Sequence, residues 1–346
     1  VLKYNSPSYN RVWRAVSMRR YYIRQKMKSF GAFLIILILF PYIVSVFVNG
    51  TDIRAGSGDG SPYVKVKVTD ASGNAAVTEV NWNEYLAGIL AKEMPEEYEL
   101  EAMKAQAVLI RTSLYQDLEE SEDKVLSEAY LPRNEMEKKW SISEYKEYYQ
   151  KYLRAAEETD DMVLFYNDTY AWAPFHQSSS GMTRSAEEVT GSSDYPYLAV
   201  RECLLDKEAE NEIQVYEFEY KEIQKLCRDF LVAEEVQEEA ENGYTFEDFE
   251  VQSNDSAGYV KNLRIGGTVC TGDQFRDALS LPSSCFSFSD GGEGLVITVT
   301  GNGHGLGMSQ WTANEMAKAG NTYDQILQFF FEGTVINKDI QETELI

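Results

Sequence analysis

The side chains best placed to do chemistry lie between Glu84 and Arg111, in EYLAGILAKEMPEEYELEAMKAQAVLIR. Glu93 falls at the end of one predicted helix, immediately before Met94 and Pro95, where the chain must turn. On the next predicted helix Lys104 and Arg111 are two turns apart, so they share a face at a spacing of roughly 10 Å along the axis. A carboxyl at a helix end facing two cations can be a catalytic acid beside groups that hold polar or anionic parts of a substrate. It can equally be a salt-bridged helix corner. A second cluster, HQSSSGMTRSAEE from His176 to Glu188, places Ser178, Ser179 and Ser180 after a predicted strand end. Such a loop lines clefts, but it also caps helices: Ser185 and Glu188 have capping-box spacing. A third, GNGHGLGMSQ from Gly301 to Gln310, surrounds His304 with glycines and then opens a helix. Its glycines permit close backbone approach to a ligand, and a histidine there can bond or transfer protons near neutrality. The loop lacks the spacing of a dinucleotide fingerprint, no G-x-S-x-G elbow occurs, and two histidines are too few for a several-histidine metal hydrolase. Carboxylate chemistry remains.

The elements that must position these groups follow from periodicity. YVKVKVT from Tyr63 alternates as a half-buried strand does, and AVTEV after the turn at 70–74 is its hairpin partner. Tyr85, Leu86, Ile89 and Leu90 recur at helical spacing, and a second helix runs from about Leu100 to Leu118 with small residues that allow close packing. The stretch from about 119 to 158 is highly charged and reads as a helical insertion of mostly solvated residues. From Met162 short β runs alternate with short helices without a regular βαβ rhythm, which predicts an α+β fold.

The charge is uneven. Residues 1–28 carry eight of the 32 cations and no acid, leaving 24 cations against 56 acids, a net −32, in the rest. Such an anionic body argues against nucleic acid as a partner. Phe30 to Val48 is an uncharged apolar run that as a helix would span roughly 28 Å, about one bilayer core. Its length and the missing cleavage site favour an uncleaved anchor over a signal peptide. The basic leader then stays cytoplasmic and the remainder is extracytoplasmic. The expected organisation is a basic tail at 1–29, a transmembrane anchor at 30–48, a Gly/Ser/Asp linker at 49–62 and one domain at 63–346. The four cysteines, Cys203, Cys227, Cys270 and Cys285, allow either two disulfides, most simply in sequence order, or four buried free thiols.

Four blocks, EYLAGILAKEMP from Glu84, EAMKAQAVLIRT from Glu101, HQSSSGM from His176 and GHGLGMSQ from Gly303, resemble in order the motifs of the stage II sporulation protein D family, which includes amidase-enhancer relatives. The resemblance covers roughly residues 63–336. It implies a peptidoglycan lytic transglycosylase acting in sporulation and engulfment on peptide-stripped glycan strands, with Glu93 as the catalytic acid/base. Substrate-binding residues expected with it are His176, Ser178, Ser179, Ser180, Tyr197, Asp206, His304 and Gln310, together with Lys104 and Arg111, which would position substrate and support the fold. Glu93 must be protonated at the start of such a reaction, so Lys104 and Arg111 should not both ion-pair with it. The expected partners are the amidase stage II sporulation protein P and the membrane protein M. Some relatives hold zinc through cysteines near the serine loop; this loop has none, so no metal and no cofactor is expected. Ala199 stands where the family pattern has lysine, and Gln177 and Met182 replace serine and glycine.

Overall fold

The computed structural model describes residues 63–69, 73, 75–209, 212–232 and 243–338. The proposed anchor at 30–48 lies outside them, and no helix among the described residues is long and apolar enough to cross a membrane. β1 (Tyr63–Thr69) and β2 (Ala75–Asn81) form the expected antiparallel hairpin, with Tyr63 opposite Asn81 and Thr69 opposite Ala75. Val64 and Val66 are buried while Lys65 and Lys67 face solvent, as a strand with one wet face requires. Asn81 ends the strand and caps α1 (Trp82–Glu93), its side chain accepting from the N–H groups of Asn83 and Glu84. Tyr85, Leu86, Ile89 and Leu90 are all buried along α1.

After the turn at Pro95 comes α2 (Leu100–Glu120), on which Ala102, Ala105 and Ala107 are fully buried and let neighbouring elements pack closely. A short β3 (Val125–Leu126) runs parallel to β1, followed by α3 (Arg133–Lys139) and α4 (Ile142–Glu158). Most residues of the segment at 119–158 are exposed, as expected, but the segment is also anchored on the first core. α4 packs on α1 and α2, burying Tyr149, Tyr152, Ala155 and Ala156, and the Tyr152 hydroxyl donates to the carbonyl of Met94 at 2.8 Å. Charged residues dominate its outer face, and the tyrosines and alanines that make its inner face carry little weight in a hydropathy pattern.

β4 (Met162–Tyr166) and β5 (Thr169–Tyr170) form a tight hairpin whose turn residues, Asn167 and Asp168, have φ of 51° and 62°. Asn and Asp tolerate that left-handed conformation better than other side-chain-bearing residues. β6 (Phe175–His176) and α5 (Ala186–Thr190) complete this part of the first hydrophobic core. Ser185 precedes α5 but makes no side-chain cap; Glu188 instead accepts from the backbone and hydroxyl of Ser256, so the capping-box reading fails.

The chain then leaves the first core to build a second. β7 (Ile213–Glu219), α6 (Tyr220–Leu226), β8 (Phe249–Asn254), β9 (Val260–Ile265), β10 (Thr268–Thr271), α7 (Gly272–Leu279), β11 (Phe286–Asp290) and β12 (Gly294–Thr300) form two antiparallel sheets, ordered β11-β12-β7 and β10-β9-β8. Ile223, Leu263, Ile265, Phe275, Leu295, Ile297 and Val299 are fully buried there. The excursion from the first core thus falls at 213–300, where the sequence pattern shows only another run of short elements. On its return the chain forms β13 (Met308–Ser309), parallel to β6, then α8 (Gln310–Lys318), α9 (Tyr323–Phe330) and β14 (Val335–Lys338), which pairs with β4. The fold is α+β. All four cysteines are free thiols: Cys203 lies in the first core and Cys227 and Cys270 in the second, so sequence-order pairing is not formed.

Arg111 staples α2 to the elements that follow it. Its fully buried guanidinium donates to the carbonyls of Ala156 and Met162 and to the hydroxyl of Thr159, at 2.8–3.0 Å. Removing it strands buried acceptors, each costing about 1–3 kcal/mol. Arg111→Met should therefore lower unfolding free energy by about 3 kcal/mol or more in urea titration, and Arg111→Lys should recover little, because one ammonium cannot reproduce the planar fork.

Candidate active site

Glu93 is the last residue of α1, with its side chain about one-third exposed and Lys92 at 3.7 Å as a neighbouring cation. The turn that follows is held from the other end of the sequence. Gln310, at the start of α8, donates through Nε2 to the carbonyl of Glu93 at 3.1 Å and to Oε1 of Gln106 at 3.2 Å. Asn314, one turn on, accepts the N–H of Glu99 at 2.7 Å, and Trp311 meets Tyr98 edge to face. α8 thereby clamps residues 93–99 and leaves the Glu93 carboxyl facing outward.

The cations do not surround that carboxyl. Lys104 is paired with Glu101 at 2.8 Å and Glu158 at 2.7 Å. Arg111 is committed to α4 and β4 as described. Both cations are thus engaged within the fold, and Arg111 has no exposed surface.

α8 is positioned by Asp206. This carboxylate is fully buried and accepts four hydrogen bonds: the N–H and hydroxyl of Ser179 at 2.7 and 2.6 Å, and the hydroxyls of Ser309 and Thr312 at 2.8 and 2.6 Å. Burial raises its pKa and those donors oppose the rise. One side chain thus joins the serine loop to the first turn of α8, whose N-cap is Ser309. The two loops also meet directly, since Ser178 and Asn302 exchange backbone hydrogen bonds at 3.0 and 2.8 Å. This closeness needs glycine: a Cβ on Gly303 would lie 2.4 Å from that of His176, and one on Gly307 would lie 1.9 Å from the Pro174 carbonyl oxygen.

His176 and His304 stand with ring centroids 5.8 Å apart. His176 donates from Nδ1 to the Leu306 carbonyl, leaving Nε2 as a buried acceptor, whereas Nδ1 of His304 accepts from the Leu306 N–H. Burial lowers both pKa values to about 4. That burial favours the neutral rings near pH 7, where each hydrogen-bonds the backbone of Leu306.

Several of the side chains expected at the substrate are buried. Ser178, Ser179, Asp206 and Gln310 are buried, and so is Tyr197, whose hydroxyl accepts the N–H of Trp172 at 2.9 Å. Among the expected residues Glu93, Lys104, Ser180 and His304 are the ones that are not buried. Two important residues escaped the motif reading. Arg184 is buried, pairs with Asp255 at 2.7 Å and Asp273 at 3.0 Å, donates to the carbonyl of His304 and lies over the ring of Tyr259. It pins the glycine loop to the second core. Glu212 is buried beneath Ser178, whose hydroxyl donates to Oε2 at 3.0 Å, while Oε1 has no hydrogen-bond partner among the described residues. Neither residue sits in a patterned motif; the TRS following the serine loop was the one available signal for Arg184. Among the described residues no group of three or more His, Cys, Asp or Glu side chains is arranged to hold a metal ion.

The family model described as stage II sporulation protein matches residues 70–166, a span that includes Glu93. Along most of its length the chain resembles stage II sporulation protein D of Bacillus subtilis, at 29% identity over 281 residues and 77% of each chain. An uncharacterized protein of Brachyspira hyodysenteriae is 29% identical over 272 residues, 75% of this chain and 67% of that one. The B. subtilis amidase enhancer is 23% identical over 72% of this chain and 40% of its own length.

Burial raises the Glu212 pKa from 4.5 to about 7, with the Ser178 hydrogen bond opposing and Asp206 reinforcing the shift. The folded protein holds this proton more tightly than the unfolded chain, so the group's contribution to stability is complete below 4.5 and is lost as pH rises towards 7. Glu212→Gln should remove that loss, gaining stability relative to wild type at about pH 8 but not at about pH 4, as read from urea midpoints.

Proposed function

We propose that this chain is a membrane-anchored, extracytoplasmic lytic transglycosylase that cuts bonds between N-acetylmuramic acid and N-acetylglucosamine in peptide-stripped glycan strands. The observation that carries the reading is Glu93 itself: a partly exposed carboxyl at a helix end, with its backbone clamped by Gln310 and with Lys104 and Arg111 engaged elsewhere. Protonated Glu93 gives its proton to the glycosidic oxygen as that bond breaks. The resulting carboxylate takes the proton of the muramyl 6-hydroxyl, whose oxygen closes on the anomeric carbon to form the 1,6-anhydro ring. One carboxyl serves both steps because no water is activated. Ser180 and His304, two of the accessible residues of these loops, are candidate contacts to the sugar.

The similarity to stage II sporulation protein D supports a place in sporulation; a role in engulfment, with the amidase stage II sporulation protein P and membrane protein M as partners, is the further part of the proposal that the motif resemblance implies. The basic leader and the apolar run at 30–48 support a single-pass anchor with the folded part outside the cell membrane. A second reading is a non-catalytic glycan-binding amidase enhancer. Ala199 favours it, since it removes the cation of the family pattern, as does the similarity to a relative of that name.

The test is to incubate the purified chain and its Glu93→Gln variant with peptide-stripped strands and look for anhydro-muramyl ends by mass spectrometry. Wild type should form them, and the variant should be slower by roughly 10²–10⁴-fold with strand binding retained. Binding without anhydro ends in either protein would replace the enzyme with the enhancer reading.

A further inference from the structure

At the far end of α2 from Glu93, a cavity of about 660 Å³ opens between the helix and the loops at 169–172 and 190–195. Gln116, Glu119 and Glu120 contribute its helical wall, 10 to 14 residues beyond Gln106, or roughly 15–21 Å along the axis. Trp172 and Tyr195 line the opposite side, in edge contact at 4.9 Å between centroids. Behind them Tyr197 accepts the backbone N–H of Trp172 and touches Tyr195 edge-on, so the buried tyrosine expected at the substrate in fact supports two half-buried rings that line a cavity. Neither the indole N–H of Trp172 nor the hydroxyl of Tyr195 is engaged by a protein hydrogen bond among the described residues.

The lining carries three carboxylates, Glu119, Glu120 and Asp194, and no cation. Aromatic faces pack against the C–H faces of a pyranose, and carboxylates accept from its hydroxyls. The size suits a ligand of one or a few sugar units. The same carboxylates repel an anion, which disfavours a muramyl unit bearing its free lactyl carboxylate.

We propose that this cavity is a second glycan-binding site, separate from the Glu93 corner, that takes an uncharged N-acetylated amino sugar on Trp172 and Tyr195. The choice of sugar rests on the glycan reading above; the site itself does not require Glu93 to be catalytic. It would grip a strand away from the bond being cut and favour positions where a neutral unit reaches the cavity.

The probe is a chitin oligosaccharide, a neutral oligomer of N-acetylglucosamine, titrated calorimetrically into the purified chain. Trp172→Ala and Tyr195→Ala should each weaken binding ~10-fold or more. The exposed pair Glu119→Ala/Glu120→Ala, which disturbs no core, should weaken it several-fold and serves if the aromatic variants fail to fold. Peptide-stripped strands should bind the cavity less tightly at low salt, and raising the salt should narrow that difference. Identical isotherms in wild type and all variants that fold would overturn the proposal, and if wild type still forms anhydro ends the transglycosylase reading survives. Isotherms weakened as expected, with no anhydro ends from wild type, would uphold the cavity and sink the transglycosylase reading.

Discussion

The buried Asp206 carboxylate is the constraint on which the site depends. A charge with no access to water persists only where donors surround it, and here four hydrogen bonds come from two distant loops. Satisfying Asp206 therefore fixes the serine loop and the start of α8 together. Once α8 is fixed, Gln310 reaches the carbonyl of Glu93 and Asn314 reaches Glu99, so the position of the exposed glutamate is set by a carboxylate that never meets solvent. Serine, threonine and glutamine are the residue types such an arrangement calls for, because they donate without adding a competing charge.

Arg184 plays the corresponding part between the two cores. Its guanidinium is satisfied only when Asp255 and Asp273 of the second core and the His304 carbonyl of the glycine loop are all in place. Breaking a buried pair by removing one partner typically costs 3–5 kcal/mol, because the other charge is left stranded. The second core is thus a support for the glycine loop and, through it, for the two neutral histidines.

Much of this was legible in the sequence. Period-two alternation located the β1–β2 hairpin, and helical spacing with Pro95 located α1 and the corner at Glu93. The ordered motifs marked the serine and glycine loops that meet in space. What the sequence did not disclose was which polar residues face inward. Ser179, Asp206 and Gln310 look like ligand-binding residues because binding and burial use the same donors and acceptors. The excursion at 213–300 was hidden because its short strands resemble those on either side, whereas α4 looked solvated because its buried stripe is largely tyrosine and alanine. Glu212 and Arg184 had no signal beyond being charged residues near a loop.

The contacts that clamp Glu93 join residues more than 200 positions apart: Gln310 lies 217 residues from Glu93 and 204 from Gln106. Contacts of such long range carry a large loop-closure entropy and form late in folding. The β-rich excursion at 213–300 must also be traversed before β13 can pair with β6. During synthesis the glutamate emerges early, and its clamp follows only 217 residues later. A chain interrupted before Gln310 carries the acidic residue without the frame that aims it, so the geometry at Glu93 exists only once the distant segment has folded onto it.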